Sequence, residues 1–118
     1  MLEASCHCGA VRLEIAARPL WLTECNCSLC RRRGALWLHC HPAEVTFTAG
    51  AGSTAEYLQG DRTLAMHHCP TCGCTTHWSP ADPAGQRMAV NARLIDPQAI
   101  AGLRIRRFDG ADSFDFLD

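Results

Sequence analysis

Cys25, Cys27 and Cys30 place three thiols within six residues, close enough to share one metal ion, and Arg31-Arg32-Arg33-Gly34 follows directly. Two other cysteine groups flank this stretch: Cys6-His7-Cys8-Gly9 near the start, and Cys69-Pro70-Thr71-Cys72-Gly73 later in the chain. Two cysteines in a tight turn can both reach one zinc ion at about 2.3 Å, and a glycine after them relieves backbone strain. The Cys69–Cys72 turn therefore reads as half of a tetrahedral site.

Spacing does not settle which group completes it, because Cys-x-Cys and Cys-x-x-Cys both suit zinc. Counting separates the options. If Cys6 and Cys8 join Cys69 and Cys72, four thiolates close a structural site, and Cys25, Cys27 and Cys30 remain as a three-ligand site with one position free. If the central trio closed the turn instead, ligands would be left over. A competing reading makes the central trio a second structural site, with a fourth ligand from Cys40, Cys74 or a histidine. The blandest reading makes the cysteines buried reduced thiols, since free cysteine packs as a small hydrophobe.

The chain's 118 residues predict a single domain spanning 1–118. A chain of this size buries roughly two thirds of the surface its unfolded form exposes, so a cross-link adds materially to stability. The nine cysteines are odd in number, and Met1 to Ser5 carries neither a basic start nor an apolar run. Cytoplasmic placement is the expectation, and there closely spaced cysteines read as metal ligands or redox groups rather than disulfides. A formal net charge of -1 argues against a nucleic-acid partner. No apolar stretch approaches the roughly 20 residues of a membrane span. All eleven basic residues are arginine, which rules out lysine Schiff-base chemistry.

The elements that must hold these thiols are short strands and turns. Val11 to Ile15 alternates apolar and polar, as a half-buried strand does, and Arg18-Pro19 ends it. Leu20 to Glu24 predicts a strand running into the central cysteines. Leu36 to His41 alternates again, with Leu36, Leu38 and Cys40 on one face and Trp37, His39 and His41 on the other. Further strands are predicted over Val45–Thr48, Thr54–Leu58, Thr63–His68, Thr75–Trp78, Met88–Ala92 and Leu103–Arg106, with loops at 49–53, 59–61 and 80–85. Asp96-Pro97 and Gly102 bracket a helix of one or two turns. Trp21, Trp37, Trp78 and Phe47 are expected to fill the core, one of them at most forming a cleft wall.

Taken in order, Cys6 to Val11 (Cys-x-Cys-Gly-x-Val), Cys25 to Gly34 (Cys-x-Cys-Ser-x-Cys-Arg-x-x-Gly) and Cys69 to Gly73 (Cys-x-x-Cys-Gly) resemble the glutathione-dependent formaldehyde-activating enzyme family, whose domain also occurs in centromere protein V. The similarity extends to Asn91-Ala92-Arg93-Leu94 and Phe108-Asp109-Gly110, and so spans nearly the whole chain. What it implies is a mainly β fold of tent-like antiparallel sheets stapled by zinc, with two zinc ions per chain. Cys6, Cys8, Cys69 and Cys72 would match the structural ligands, and Cys25, Cys27 and Cys30 the ligands of a second, active-site zinc. Two features depart from the pattern: His68 stands where many relatives carry an aromatic residue, and Cys74 adds a thiol beside the turn.

The implied activity is that of a carbon–sulfur lyase, of S-(hydroxymethyl)glutathione synthase type, with a small thiol such as glutathione and a small aldehyde as its partners. A zinc bound by three thiolates is a weak Lewis acid, yet it deprotonates a thiol that joins it. Glutathione carries two carboxylates, which arginine matches with paired hydrogen bonds, so Arg31, Arg32 and Arg33 are candidate anchors. The bland alternative for that run is a solvated face offsetting thiolate charge. A different class of function, a non-catalytic zinc module for protein interaction or for zinc or thiol sensing, would require a filled fourth position. A cysteine redox enzyme would carry no metal.

Overall fold

The computed structural model describes residues 1–118, and the chain is mainly β, in two sheets. β1 (Leu2–Ser5), β2 (Arg12–Ile15), β3 (Trp21–Cys25), the short helix α1 (Ser28–Arg33), β4 (Trp37–Cys40), β5 (Val45–Ala49), β6 (Ala55–Leu58), β7 (Leu64–His68), β8 (Thr75–Pro80), β9 (Met88–Asn91) and β10 (Arg104–Phe108) follow in order. The smaller sheet is β1-β2-β5 and is antiparallel throughout. The larger runs β10-β3-β4-β9-β8-β7-β6. Only its β10–β3 pair is parallel, with Phe108 opposite Cys25.

Alternation in the sequence becomes burial in the sheets. In β2, Leu13 and Ile15 are sealed while Arg12 faces solvent. All four residues of β9 are buried, because a strand in mid-sheet with both faces covered has no side left for water. Leu13, Ile15, Leu38 and Val90 belong to one contiguous core shared by both sheets. An isolated bridge between Ala4 and Ile95 ties β1 to the segment after β9.

Three local features depart from the sequence reading. β1 forms as an edge strand paired in full register with β2, Leu2 opposite Ile15. α1 interrupts the cysteine cluster. The bracketed helix after Asp96 is a single 3-10 turn, Pro97–Ile100, capped by the Asp96 carboxylate accepting from Gln98 N–H.

Candidate functional site

Cys6 and Cys8 lie in the β1–β2 connection, and Cys69 and Cys72 in the β7–β8 connection, so this group joins the two sheets. Its four sulfur atoms all lie within 4.8 Å of one another. Cys8 Sγ stands 3.7 Å from both Cys6 Sγ and Cys69 Sγ. Four sulfurs at the zinc–thiolate distance define tetrahedron edges of about 3.8 Å, so the observed spacing fits that ion. Local hydrogen bonds build the cradle. Gly73 N–H donates to Cys69 C=O at 2.9 Å, with Gly73 at φ 81°, a conformation that favours glycine. Val11 N–H donates to Cys6 Sγ at 3.3 Å.

The second group is Cys25, Cys27 and Cys30, again with sulfurs within 4.8 Å of one another. Cys40, Cys74 and the six histidines stay outside it. Its geometry follows from a strand that ends where a helix begins. Cys25 is the last residue of β3; Cys27 caps α1, its sulfur accepting from Cys30 N–H at 3.3 Å. Gly34 ends the helix in the left-handed region at φ 65°, returning its N–H to Cys30 C=O. Three residues of helix thus bring Cys30 back beside Cys25.

Each sulfur in this group receives an N–H. Cys27 N–H reaches Cys25 Sγ at 3.5 Å, Cys30 N–H reaches Cys27 Sγ, and the Trp37 indole N–H reaches Cys30 Sγ at 3.3 Å. Such donors favour thiolate over thiol. Donation from the Cys30 thiol holds Cys25 down to about 6 and pushes Cys30 up, so the trio sheds its first proton readily. The donor set fits a thiophilic ion such as zinc. Both clusters are able to bind metal ions.

A cleft of about 920 Å³ opens onto the three-thiol group. Trp21, Trp37 and Trp78 all line it, where at most one aromatic wall was expected. Trp37 and Trp78 are buried; Trp21 and Phe47 are only half-buried. Phe108, Phe114 and Phe116, from the C-terminal segment, complete one side, with Phe108 edge-on to both of the others. Asn26 anchors that segment: its Nδ2 donates to Asp109 Oδ1 and its Oδ1 accepts from Ala111 N–H, each at 3.0 Å.

The arginine run occupies the last turn of α1. Arg32 donates to Ser28 C=O at 2.8 Å and Arg33 to Thr75 Oγ1 at 3.2 Å, and none of Arg31, Arg32 and Arg33 lines the cleft. The arginines that do are Arg18 and Arg87. Neither stood out in the sequence. Arg18 marks only a strand end, Arg87 sits in a polar loop, and no local pattern connects either with Cys25.

Residues 1–106 match the family model described as glutathione-dependent formaldehyde-activating enzyme. A Halomonas elongata protein named "Putative glutathione-dependent formaldehyde-activating enzyme" is 39% identical over 69 residues, 57% of this chain and 34% of its own. The chain therefore spans about a third of the length of that curated relative. A crystal structure of a Rhodobacter sphaeroides protein superposes with a TM-score of 0.71 at 29% identity, covering 87% of this chain and 98% of the other.

Proposed function

The chain belongs to the glutathione-dependent formaldehyde-activating enzyme family, and from that premise we propose that it is a zinc-dependent carbon–sulfur lyase, joining a thiol to a small aldehyde or cleaving the adduct. The observation that carries this reading is the trio of sulfurs, with no fourth protein ligand among them, at the base of an open cleft. Zinc there would supply a position at which an incoming thiol is held as thiolate.

The chain's own residues do the rest. Cys25, Cys27 and Cys30 would hold the metal, and the N–H groups of Cys27, Cys30 and Trp37 aim their sulfurs. Trp37 and Trp78 exclude water from one side of the cleft and narrow the angle from which an aldehyde approaches. In the reaction a carbon–sulfur bond forms as the carbonyl π bond breaks, and the oxygen takes up the proton the thiol gave up. Arg31, Arg32 and Arg33 place positive charge in the turn after the ligands, offsetting the charge of the thiolates. The four-thiol group is the structural counterpart: Cys6, Cys8, Cys69 and Cys72 would hold a second zinc between the connections of the two sheets.

X-ray absorption at the zinc edge, with and without millimolar glutathione, tests this reading. The expected result is a three-sulfur site that gains a sulfur neighbour with glutathione, together with accelerated exchange between free aldehyde and adduct. A central zinc already bound by four protein ligands, and indifferent to thiol, would instead establish a non-catalytic module.

A further inference from the structure

We propose that the cleft over Cys25, Cys27 and Cys30 is shaped for the glutathione adduct of an aldehyde bearing an apolar group, aromatic or long alkyl, in preference to the formaldehyde adduct. This names the substrate class for the lyase reading above and rests on it.

Formaldehyde adds one carbon and one oxygen to the thiol and needs no apolar room. The cleft nevertheless measures about 920 Å³, and Trp21, Trp78, Met66 and Phe108 form apolar wall in it beside polar side chains such as Thr23, His39 and Gln59. Its rim carries a second, independent signal. Leu20, Tyr57, Leu64 and Phe114 are 82%, 51%, 41% and 73% exposed, and all four border this one cleft. Met1, Ile105 and Leu117 are the only other large apolar side chains left so open. Isolated exposed apolar residues are ordinary, whereas a contiguous set around a concavity marks a binding site.

Charge narrows the occupant further. No aspartate or glutamate lines the cleft, while Arg18 and Arg87 do, and neither is paired; Arg106–Asp118 is the only ion pair in the molecule. Two free guanidinium groups on a cleft with extensive apolar wall and no carboxylate match a ligand with carboxylates at one end and an apolar body at the other. Glutathione supplies the carboxylates, so the aldehyde must supply the apolar part. The addition balances as before: thiol sulfur to carbonyl carbon, thiol proton to carbonyl oxygen, with no change of oxidation state overall. A protein partner, or a second copy of this chain, would also cover the rim, but it would seal the three-thiol group beneath it.

The test uses the zinc-loaded full chain at fixed millimolar glutathione, titrated with formaldehyde, acetaldehyde, hexanal and phenylacetaldehyde. Binding is read from quenching of the cleft tryptophans, and exchange of aldehyde with adduct from NMR line shape. Apparent affinity should rise about tenfold or more from formaldehyde to phenylacetaldehyde. The double variant Tyr57→Ser, Leu64→Ser should lower that preference about tenfold. Arg18→Gln and Arg87→Gln should weaken all glutathione adducts alike, and less so with mercaptoethanol, which has no carboxylate. A flat series with formaldehyde exchange still accelerated overturns this inference and leaves the lyase reading intact. Silence with every aldehyde overturns both. Self-association that buries Tyr57 and Leu64 and abolishes aldehyde binding overturns it in favour of a second copy as occupant.

Discussion

Gly110 lies so close against Cys25 that a Cβ on the glycine would stand 2.6 Å from Cys25 Sγ and 3.2 Å from Cys27 Cβ. The sulfur is not free to retreat, since it must stay within reach of two others. Gly110→Ala should therefore displace either Cys25 or the C-terminal segment. Loss of about 10- to 100-fold in metal affinity at this site is expected, comparable to other supporting-residue changes around metals. Chelator competition resolves it: release of one metal equivalent should speed up while the other is unaffected.

The two cysteine groups should respond differently to the loss of one ligand. Cys72→Ser removes a corner of the group that joins the sheets, where structural zinc contributes roughly 10 to 16 kcal/mol in small domains. The variant should be unfolded or insoluble. Cys27→Ser disturbs a group built within one turn and should keep its β-sheet circular dichroism and a cooperative melt. Equal collapse of both would count against dividing the clusters into structural and reactive.

Acid should destabilise the chain through His77 as well as through its thiolates. His77 is 4% exposed, stacks on His67 with ring centroids 4.0 Å apart, and shares a hydrogen bond with Thr76 Oγ1. Burial, with His67 beside it, lowers it from 6.5 to about 3. The folded chain thus binds fewer protons here than the unfolded one. The stability at stake is complete above about pH 6.5 and drains away as pH falls toward 3, by about 3 kcal/mol at pH 4. In melts between pH 7 and 4, the advantage of the wild type over His77→Phe should shrink with acid. Parallel curves would refute it.

Asn91 ties three segments together from a site 6% exposed. Its Oδ1 accepts from Leu36 N–H and Arg93 N–H, both at 3.2 Å, and its Nδ2 donates to Thr75 C=O at 2.9 Å. Asn91→Ala leaves buried backbone groups unpaired, and a loss of about 2 to 4 kcal/mol is expected in urea unfolding. A loss under about 1 kcal/mol would mean that water fills the gap.

Most strands, β1 excepted, and the cysteine motifs were legible in the sequence because their signals are local, whereas the joining of Cys6 and Cys8 to Cys69 and Cys72 was open on spacing and rested on counting and on the family resemblance. Alternation marks β2 and β4, and the Asp96-Pro97 cap and Gly102 bracket the 3-10 turn. α1 escaped notice since six residues are too few to show a helical period, and its cap is a cysteine rather than the usual serine, threonine, aspartate or asparagine. Gly34 was the one visible clue. The parallel β10–β3 pairing joins residues some eighty apart, Cys25 with Phe108, and nothing local encodes it. The cleft suffers the same invisibility: Arg18, Leu64, Arg87 and Phe114 come from four separate segments and meet only in the fold.

That Cys8 and Cys69 stand 61 residues apart, while Cys25 and Cys30 stand five apart, also orders the closure of the two groups during folding. Closing a short loop costs less entropy than closing a long one. The trio can therefore gather around an ion with only a six-residue stretch ordered. The four-thiol group can be filled only once both connections exist and have docked. Its occupancy would then report that the two sheets have docked, whereas occupancy of the trio would report only that the stretch from Cys25 to Cys30 has turned back on itself.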